Sequence, residues 1–223
     1  MAEKFLIDGP ARASRTILLA HGAGGPMDTP TMTAAAEALA AQDFRVARFE
    51  FDYMAGRRGS AGRKPPPRAE KLCPEYRAAI DALCSAPGTP KGPLIVGGKS
   101  MGGRVASMIA DDLHAAGRIA GLLCLGYPFH PPGKPEQPRT AHLAGMTTPA
   151  LIVQGTRDPF GNREEVSAYT LSKTIEILWL EDGDHDLKPR KSVSGFSADD
   201  HLRTMAETVS VWANRIEGSQ ARR

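Results

Sequence analysis

Short apolar runs rich in Val, Ile and Leu alternate along this chain with segments of helical periodicity. This alternation restricts the fold more than any other feature, because strands separated by helices build a parallel sheet that is covered on both faces. Six runs have the length and composition of buried strands: 16–20, 44–51, 94–96, 119–125, 150–153 and 175–180. Residues 4–7 are a candidate edge strand. The pattern predicts an α/β protein, a three-layer α/β/α sandwich with a mostly parallel sheet.

Capping residues predict where two of the helices begin. Thr29 and Pro30 form an N-cap and first-turn pair, so a helix is expected from there to about Ala41. Ser197 and Asp200 predict a capping box at the start of the last helix. Another helix is expected directly after the third apolar run, where apolar residues recur at helical spacing.

Length and composition fit one globular domain. Of the 223 residues, 41% are hydrophobic and 24% are charged, which is typical of globular proteins. The longest mainly apolar run, 119–129, is shorter than the ~18 residues of a membrane span, and the first residues lack the apolar region of a secretory signal. Three cysteines without a C-x-x-C pair favour reduced thiols. We expect a single domain over 1–223 with a flexible tail at about 217–223, a cytoplasmic location and no membrane partner.

The net charge of +3 is concentrated in one segment. Residues 54–71 contain six basic residues and one acidic residue, so the rest of the chain is slightly acidic. Nucleic-acid binders usually carry a larger basic excess with interleaved aromatic residues, and no nucleic-acid partner is expected. Two interpretations stay open for this basic loop: a solvated surface segment, or a rim that attracts acidic ligands to an active site.

Four of the predicted strands are followed directly by polar or glycine-rich turns. Residues 21–25 (HGAGG) follow the first run, and Ser100, Asp158 and His185 follow the third, fifth and sixth. In sheets of this kind, ligands bind outside the carboxyl ends of the strands. We therefore expect these four groups to share one edge of the sheet.

Ser100 lies in a G-x-S-x-G motif, residues 98–102 (GKSMG), that a predicted strand enters and a predicted helix leaves. This context is typical of a nucleophile elbow, in which a sharp turn exposes the serine at a helix N-terminus. A plain N-cap role for Ser100 is the alternative. A nucleotide-binding P-loop is disfavoured, because the first glycine of that motif would fall at position 93, which is Pro93.

A serine nucleophile needs a base, and the base needs a carboxylate that orients it. Among six histidines, His185 alone follows a strand by a short turn late in the chain, so it is the predicted base. His130 and His142, in a proline-rich loop, are minor candidates. A metal site at residues 184–186 (DHD) has no supporting ligand cluster, and neither a metal nor another cofactor is expected.

Asp158 is the predicted orienting carboxylate, because it follows the fifth run and stands between the serine and the histidine in chain order. Its alternative is an aspartate that starts a turn before Pro159. Asp182 and Asp184 are weak substitutes, since they lie too close in sequence to His185 to reach around its ring.

Backbone N–H groups next to the serine are the predicted oxyanion hole. The Met101 N–H lies at the N-terminus of the helix after the serine, and the HGAGG turn supplies a second donor. We assign that second donor to the Ala23 N–H, with Gly24 as the neighbouring choice. His21 is expected to shape the turn.

The strand order and the motifs GKSMGG, GTRDPFG and GDHD together resemble the α/β-hydrolase superfamily over almost the whole chain. The small cap-less form is similar to dienelactone-hydrolase-like and carboxylesterase-like members. More narrowly, a bacterial group related to the testis-expressed hydrolase-like protein and to a subunit of the non-specific-lethal chromatin complex is resembled by four longer motifs: HGAGGPMDTP, GGKSMGGR, GYPFHPPGKPE and QGTRDPFG. The resemblance implies Ser100, Asp158 and His185 as a catalytic triad and leaves the substrate open.

The expected function is a serine hydrolase of the carboxylesterase type that cleaves a small-molecule ester or related acyl substrate through an acyl-enzyme. Other enzymes of the same triad, a thioesterase, lactonase or peptidase, are alternatives. A catalytically silent scaffold or interaction subunit is another, because the resembled group includes complex subunits. Dienelactone hydrolases would be expected to use cysteine where this chain has Ser100, which disfavours that activity.

Two segments are expected to overhang the site. Residues 127–146 occupy the position of the lid in larger relatives, and their five prolines predict a stiff loop instead of a helical lid. The basic loop at 54–71 follows another strand end. Together they predict an open site that favours acidic or polar acyl groups.

Overall fold

The structure is a computed structural model that describes residues 5–58, 65–86, 92 and 94–220. Within these ranges, seven strands form one sheet: β1 (Leu6–Asp8), β2 (Arg15–Ala20), β3 (Phe44–Phe49), β4 (Leu94–Lys99), β5 (Gly121–Leu125), β6 (Ala150–Gly155) and β7 (Ile175–Leu180). Their order across the sheet is β1-β3-β2-β4-β5-β6-β7. The edge strand β1 is antiparallel to β3, and the other neighbours are parallel. The predicted α/β architecture is confirmed.

Strand ends differ from the predicted runs where pairing or helix formation decides them. β4 extends three residues past the apolar run to Lys99, because Gly97, Gly98 and Lys99 pair with β5. β3 ends at Phe49, two residues early, and a short helix begins at Asp52. The edge strand begins at residue 6, and the first residue of its predicted range lies outside the described residues.

Eight α-helices lie in the described ranges: α1 (Pro30–Ala40), α2 (Asp52–Ala55), α3 (Cys73–Ser85), α4 (Met101–Ser107), α5 (Ala110–Ala115), α6 (Arg163–Ser167), α7 (Lys191–Ser194) and α8 (Ala198–Gln220). The predicted caps are confirmed. The Thr29 side chain accepts a hydrogen bond from the Met32 N–H, and Ser197 and Asp200 bond reciprocally at the start of α8. The helix expected after the third strand is divided into α4 and α5.

Side chains on both faces of the sheet are buried, which makes three layers. Along β2, Ile17 and Leu19 belong to a core that α1 and α8 cover, whereas Leu18 and Ala20 belong to the core under α3, α4 and α5. Burial of one large aliphatic side chain contributes about 1.5–3 kcal/mol. The continuous apolar runs follow from this two-sided burial, because successive strand residues alternate between the faces.

Two segments that the sequence predicts to be surface loops can be compared with the structure. Residues 126–149 form turns without a helix, so the loop expected at 127–146 is confirmed and no lid lies in that segment. The predicted basic loop is wrong at its ends, which form α2 and two 3₁₀ turns, Gly56–Arg58 and Ala69–Leu72, anchored by buried Met54 and Leu72. Residues 59–64 of that loop lie outside the described residues.

Within the tail expected to be flexible at about 217–223, residues 217–220 belong to α8. Residues 221–223 lie outside the described residues. The thiols of Cys73, Cys84 and Cys124 are free. Across the described ranges, none of the helices combines the length and apolar character needed to span a membrane.

Candidate active site

Ser100 occupies a strained turn between β4 and α4. Its backbone angles are φ 51° and ψ −116°, a region that residues with a side chain rarely adopt. The flanking glycines are required by space, since a Cβ on Gly98 or on Gly102 would lie 2.4 Å from the carbonyl oxygen of Ala20. The G-x-S-x-G spacing therefore lets the turn approach the carboxyl end of β2.

A chain of hydrogen bonds joins Ser100, His185 and Asp158. The His185 Nε2 lies 2.9 Å from the Ser100 Oγ, and the His185 Nδ1 lies 2.8 Å from the Asp158 Oδ2. The Asp158 carboxylate accepts a hydrogen bond from the Nδ1–H, so the other ring nitrogen, Nε2, is left to accept the serine proton. The structure thus brings together the three side chains that follow β4, β6 and β7.

The Asp158 carboxylate is buried and held by two further donors. The Gln154 Nε2 lies 2.9 Å from its Oδ2, and the Phe160 N–H donates to its Oδ1 at 2.8 Å. Gln154 is itself fully buried and also accepts a hydrogen bond from the Tyr127 N–H at 2.8 Å. Sequence reasoning missed Gln154, although an amide inside the apolar run of β6 is a visible signal.

The loop that carries His185 is tied to the residue before the nucleophile. The Lys99 Nζ donates to the His185 carbonyl oxygen at 2.6 Å and lies 3.5 Å from the Asp186 Oδ1. Burial lowers the pKa of Lys99. The Phe160 ring packs on the imidazole, with 4.2 Å between centroids. Lys99 was not predicted to have a role, because its partner lies 86 residues away.

The two substitute carboxylates bind elsewhere. Asp182 pairs with the Arg190 guanidinium and accepts its backbone N–H at 2.6 Å. Asp184 accepts the backbone N–H groups of Asp186 and Lys188, both at 2.9 Å. These bonds shape the turn before and after His185 and leave Asp158 as the carboxylate on its ring.

The minor candidate bases are also engaged away from Ser100. His130 is buried, with its Nε2 3.1 Å from Glu165. The His142 Nε2 lies 2.8 Å from the Ser107 Oγ, which makes a second serine–histidine pair. Ser107, however, is 3% exposed and lies inside α4. Burial lowers the pKa of His142, and none of the described residues gives its ring a carboxylate partner.

His21 supports the glycine-rich turn after β2. Its Nδ1 lies 2.6 Å from the Gly22 carbonyl oxygen, and its Nε2 accepts the Phe51 N–H at 3.2 Å. Burial lowers the pKa of His21, so the neutral ring that these two bonds require is favoured. The turn is thereby held against the nucleophile, with 3.6 Å between a Cβ placed on Gly22 and the Ser100 Cβ.

Two cavities meet at Ser100. The first, of about 390 Å³, is lined by the glycine-rich turn, Lys99 and His185. The second, of about 480 Å³, is lined by Met101 and by segments that follow β3 and β5. Ala23 borders both. Within the part of the chain that the structure describes, the backbone N–H groups of Ala23 and Met101 have no acceptor, so both are free to bind an anionic oxygen.

The described residues contain no group of three His, Cys, Asp or Glu side chains that could hold a metal ion.

The chain belongs to a family of alpha/beta hydrolase domains, whose family model matches residues 13–214. Solved structures share its fold. An alpha-beta serine hydrolase homologue from Coxiella burnetii superposes with a TM-score of 0.66 at 20% identity, over 92% of this chain and 89% of its own. A serine hydrolase without lid from Xanthomonas campestris superposes with a TM-score of 0.63 at 18% identity, over 95% of this chain and 88% of its own. Dienelactone hydrolase from Anabaena variabilis superposes with a TM-score of 0.67 at 20% identity, over 93% of this chain and 89% of its own.

Proposed function

We propose that this protein is a serine hydrolase of the carboxylesterase type, with Ser100 as nucleophile, His185 as base and Asp158 as orienting carboxylate. The observation that carries the proposal is the continuous hydrogen-bonded chain from the Ser100 Oγ through the imidazole to a buried carboxylate. The strained turn adds to it, because such strain is kept where function requires it. Ser107, in contrast, has a helical backbone, and among the described residues no carboxylate bonds to its partner His142.

The proposed reaction has two steps. The Ser100 Oγ attacks the ester carbonyl carbon while its proton passes to the His185 Nε2, and Asp158 stabilises the imidazolium that forms. The C–O bond to the alcohol then breaks, and the imidazolium returns its proton to the leaving oxygen. Water, deprotonated by His185, then attacks the acyl carbon. The bond from that carbon to the Ser100 Oγ breaks, the imidazolium returns its proton to Oγ, and the acid is released.

The negative oxygen of each tetrahedral intermediate needs donors that are already in place. The free N–H groups of Ala23 and Met101 border the cavities beside Ser100 and are proposed for this role. One such donor contributes about 3 kcal/mol to the transition state. The same site chemistry serves thioesters, lactones and amides, so a panel of these substrates defines the preference.

A fluorophosphonate probe tests the proposal, since it reacts with an activated serine. The parent protein is expected to gain the mass of one probe less HF, because fluoride leaves as the Ser Oγ–P bond forms, and peptide mapping is expected to find the adduct on Ser100. Ser100→Ala should not be labelled. Ser107→Ala is the matched control, because it removes the other histidine-bonded hydroxyl, and it should be labelled as the parent is.

An unchanged mass for the folded parent protein would contradict the proposal and favour the catalytically silent scaffold. Circular dichroism of each variant shows whether the fold is kept. Hydrolysis of short 4-nitrophenyl esters is expected to be lost in Ser100→Ala, whereas equal rates in this variant and in the parent would also favour the scaffold.

A further inference from the structure

The second cavity beside Ser100 is strongly basic. Among the described residues, its wall contains Arg68, Arg104 and Arg139, and Glu70 is the one acidic residue. We name it the arginine pocket. Its three arginines come from three separate segments: the turn before α3, helix α4, and the proline-rich loop between β5 and β6. Their convergence next to the nucleophile is a property of the tertiary structure.

Positive charge in the arginine pocket exceeds negative charge. The one carboxylate, Glu70, pairs with Arg104 at 2.9 Å between Nη2 and Oε1. Among the described residues, the guanidinium groups of Arg68 and Arg139 have neither a hydrogen bond nor an ion pair. The Arg104 Nε is buried without a partner. Burial, and then the positive charge of Arg104, lower the pKa of Arg139, and these effects outweigh the opposing influence of Tyr127 and Glu70.

The rest of the wall strengthens the interaction with an anion. The same cavity is also lined by apolar side chains: Pro66, Pro67, Pro128 and Phe160. Such surroundings reduce the local dielectric constant, and a charge interaction is stronger there than in bulk water. A guanidinium also presents two parallel N–H groups that match the two oxygens of a carboxylate.

The position of the base shows which part of an ester would enter the arginine pocket. His185 must return a proton to the leaving alcohol, so the alcohol lies on the side of the imidazole. Of the two cavities, His185 lines the first and not the arginine pocket. The acyl group therefore extends in the opposite direction from Ser100, towards the arginines.

From this geometry we infer that the arginine pocket binds a carboxylate at the far end of the acyl group, so that the preferred substrates are half-esters of dicarboxylic acids. The inference rests on the proposed function and specifies its substrate class. Ester hydrolysis supplies the reaction, and the pocket supplies the selection for an anionic acyl chain.

Two esters of matched length test the inference: 4-nitrophenyl hexanoate and mono-4-nitrophenyl adipate, which differ by a terminal carboxylate. The parent is expected to show a kcat/KM for the adipate ester roughly tenfold above that for the hexanoate ester, a difference of about 1.4 kcal/mol. Sodium chloride should reduce this preference, because the interaction is between charges.

Variants of the unpaired arginines should reduce the adipate-to-hexanoate ratio of kcat/KM. Arg68→Gln and Arg139→Gln are each expected to lower it about threefold, which is about half of that free-energy difference, and Arg139→Lys to lower it less. Arg118→Gln is the matched control, since it removes the same charge from a pair with Asp81 before β5, at the opposite edge of the sheet. It should keep the parental ratio.

The outcomes separate the two proposals. Hydrolysis of both esters without preference for the adipate ester, or with a ratio that the arginine variants leave unchanged, overturns the arginine pocket while the hydrolase stands. Hydrolysis of neither ester by folded, probe-resistant protein overturns the proposed function and the inference with it.

Discussion

Ser100 has a backbone conformation that glycine tolerates and alanine does not, so the order of stability of two variants can be predicted. With φ 51° and ψ −116°, the residue lies outside the regions that side chains allow. Ser100→Gly removes the Cβ that causes the strain, whereas Ser100→Ala keeps it. Both variants lose the hydrogen bond to His185, and this loss cancels in the comparison.

The difference in free energy of unfolding follows from two opposing contributions. A residue with a side chain in such a sparsely populated region costs on the order of 1–3 kcal/mol. Glycine loses about 0.5–1 kcal/mol more than alanine in backbone entropy on folding. Ser100→Gly should therefore be more stable than Ser100→Ala by about 1 kcal/mol, or roughly 2–4 °C in Tm for a chain of this length.

Urea unfolding followed by circular dichroism measures this difference, provided that both variants refold. Ser210, inside α8, offers a matched control because its backbone is helical. There Ser210→Ala should be more stable than Ser210→Gly by about 1 kcal/mol, the reverse order. If alanine were instead more stable than glycine by about 0.5–1 kcal/mol at position 100, as backbone entropy alone predicts, the turn would carry no strain and this part of the argument for the nucleophile would be refuted.

Three further predictions concern the loop of the base, the packing of the sheet edge and acid stability. Lys99→Met keeps the buried stem but removes the donor to the His185 carbonyl, so kcat for a 4-nitrophenyl ester should fall about tenfold with a shifted pH profile; parental kcat and pH dependence would show that Lys99 does not position the base. Gly155→Ala places a Cβ 2.1 Å from the Gly183 carbonyl oxygen and should lower the free energy of unfolding, measured in urea, by roughly 1–3 kcal/mol. Gly145→Ala is the control, because a Cβ there has nothing within 4 Å, and it should leave stability unchanged. Equal urea midpoints for the two variants would contradict the close approach at Gly155. Because burial lowers the pKa of His21, the unfolded state binds more protons than the folded state below about pH 6.5, and the free energy of unfolding should decrease from about pH 7 to pH 5. His21→Asn should make this decrease smaller. If the slope of the urea midpoint against pH were the same in this variant and in the parent, that result would argue against a neutral buried ring.

Much of the fold was predictable because it depends on local signals. Two-sided burial produces continuous apolar runs, and these runs located the strands of the sheet. Capping residues such as Thr29 and Ser197 act within three residues of themselves, so they located helix starts directly. The ends of β4 and of the basic loop were misplaced, because pairing of Gly97–Lys99 with β5 and anchoring of Leu72 in the core are contacts between distant segments.

For the candidate site, the sequence by itself determined which side chains follow which strands. Parallel strands end at a common edge, so the sequence alone predicts that Ser100, Asp158 and His185 lie near one another. The chain order and the glycines around the serine pointed to the same chemistry.

Only the tertiary structure decided which groups make contact and in which direction. It shows that two serine–histidine pairs exist and that His185, the partner of Ser100, bonds to the Asp158 carboxylate. It also places the Lys99 Nζ within hydrogen-bond distance of a carbonyl oxygen 86 residues away. It also assembles the arginine pocket from three segments beside the nucleophile. The physical reason is the same in each case: hydrogen bonds and charge interactions act over a few ångströms, and the separation of two residues along the chain does not determine their separation in space.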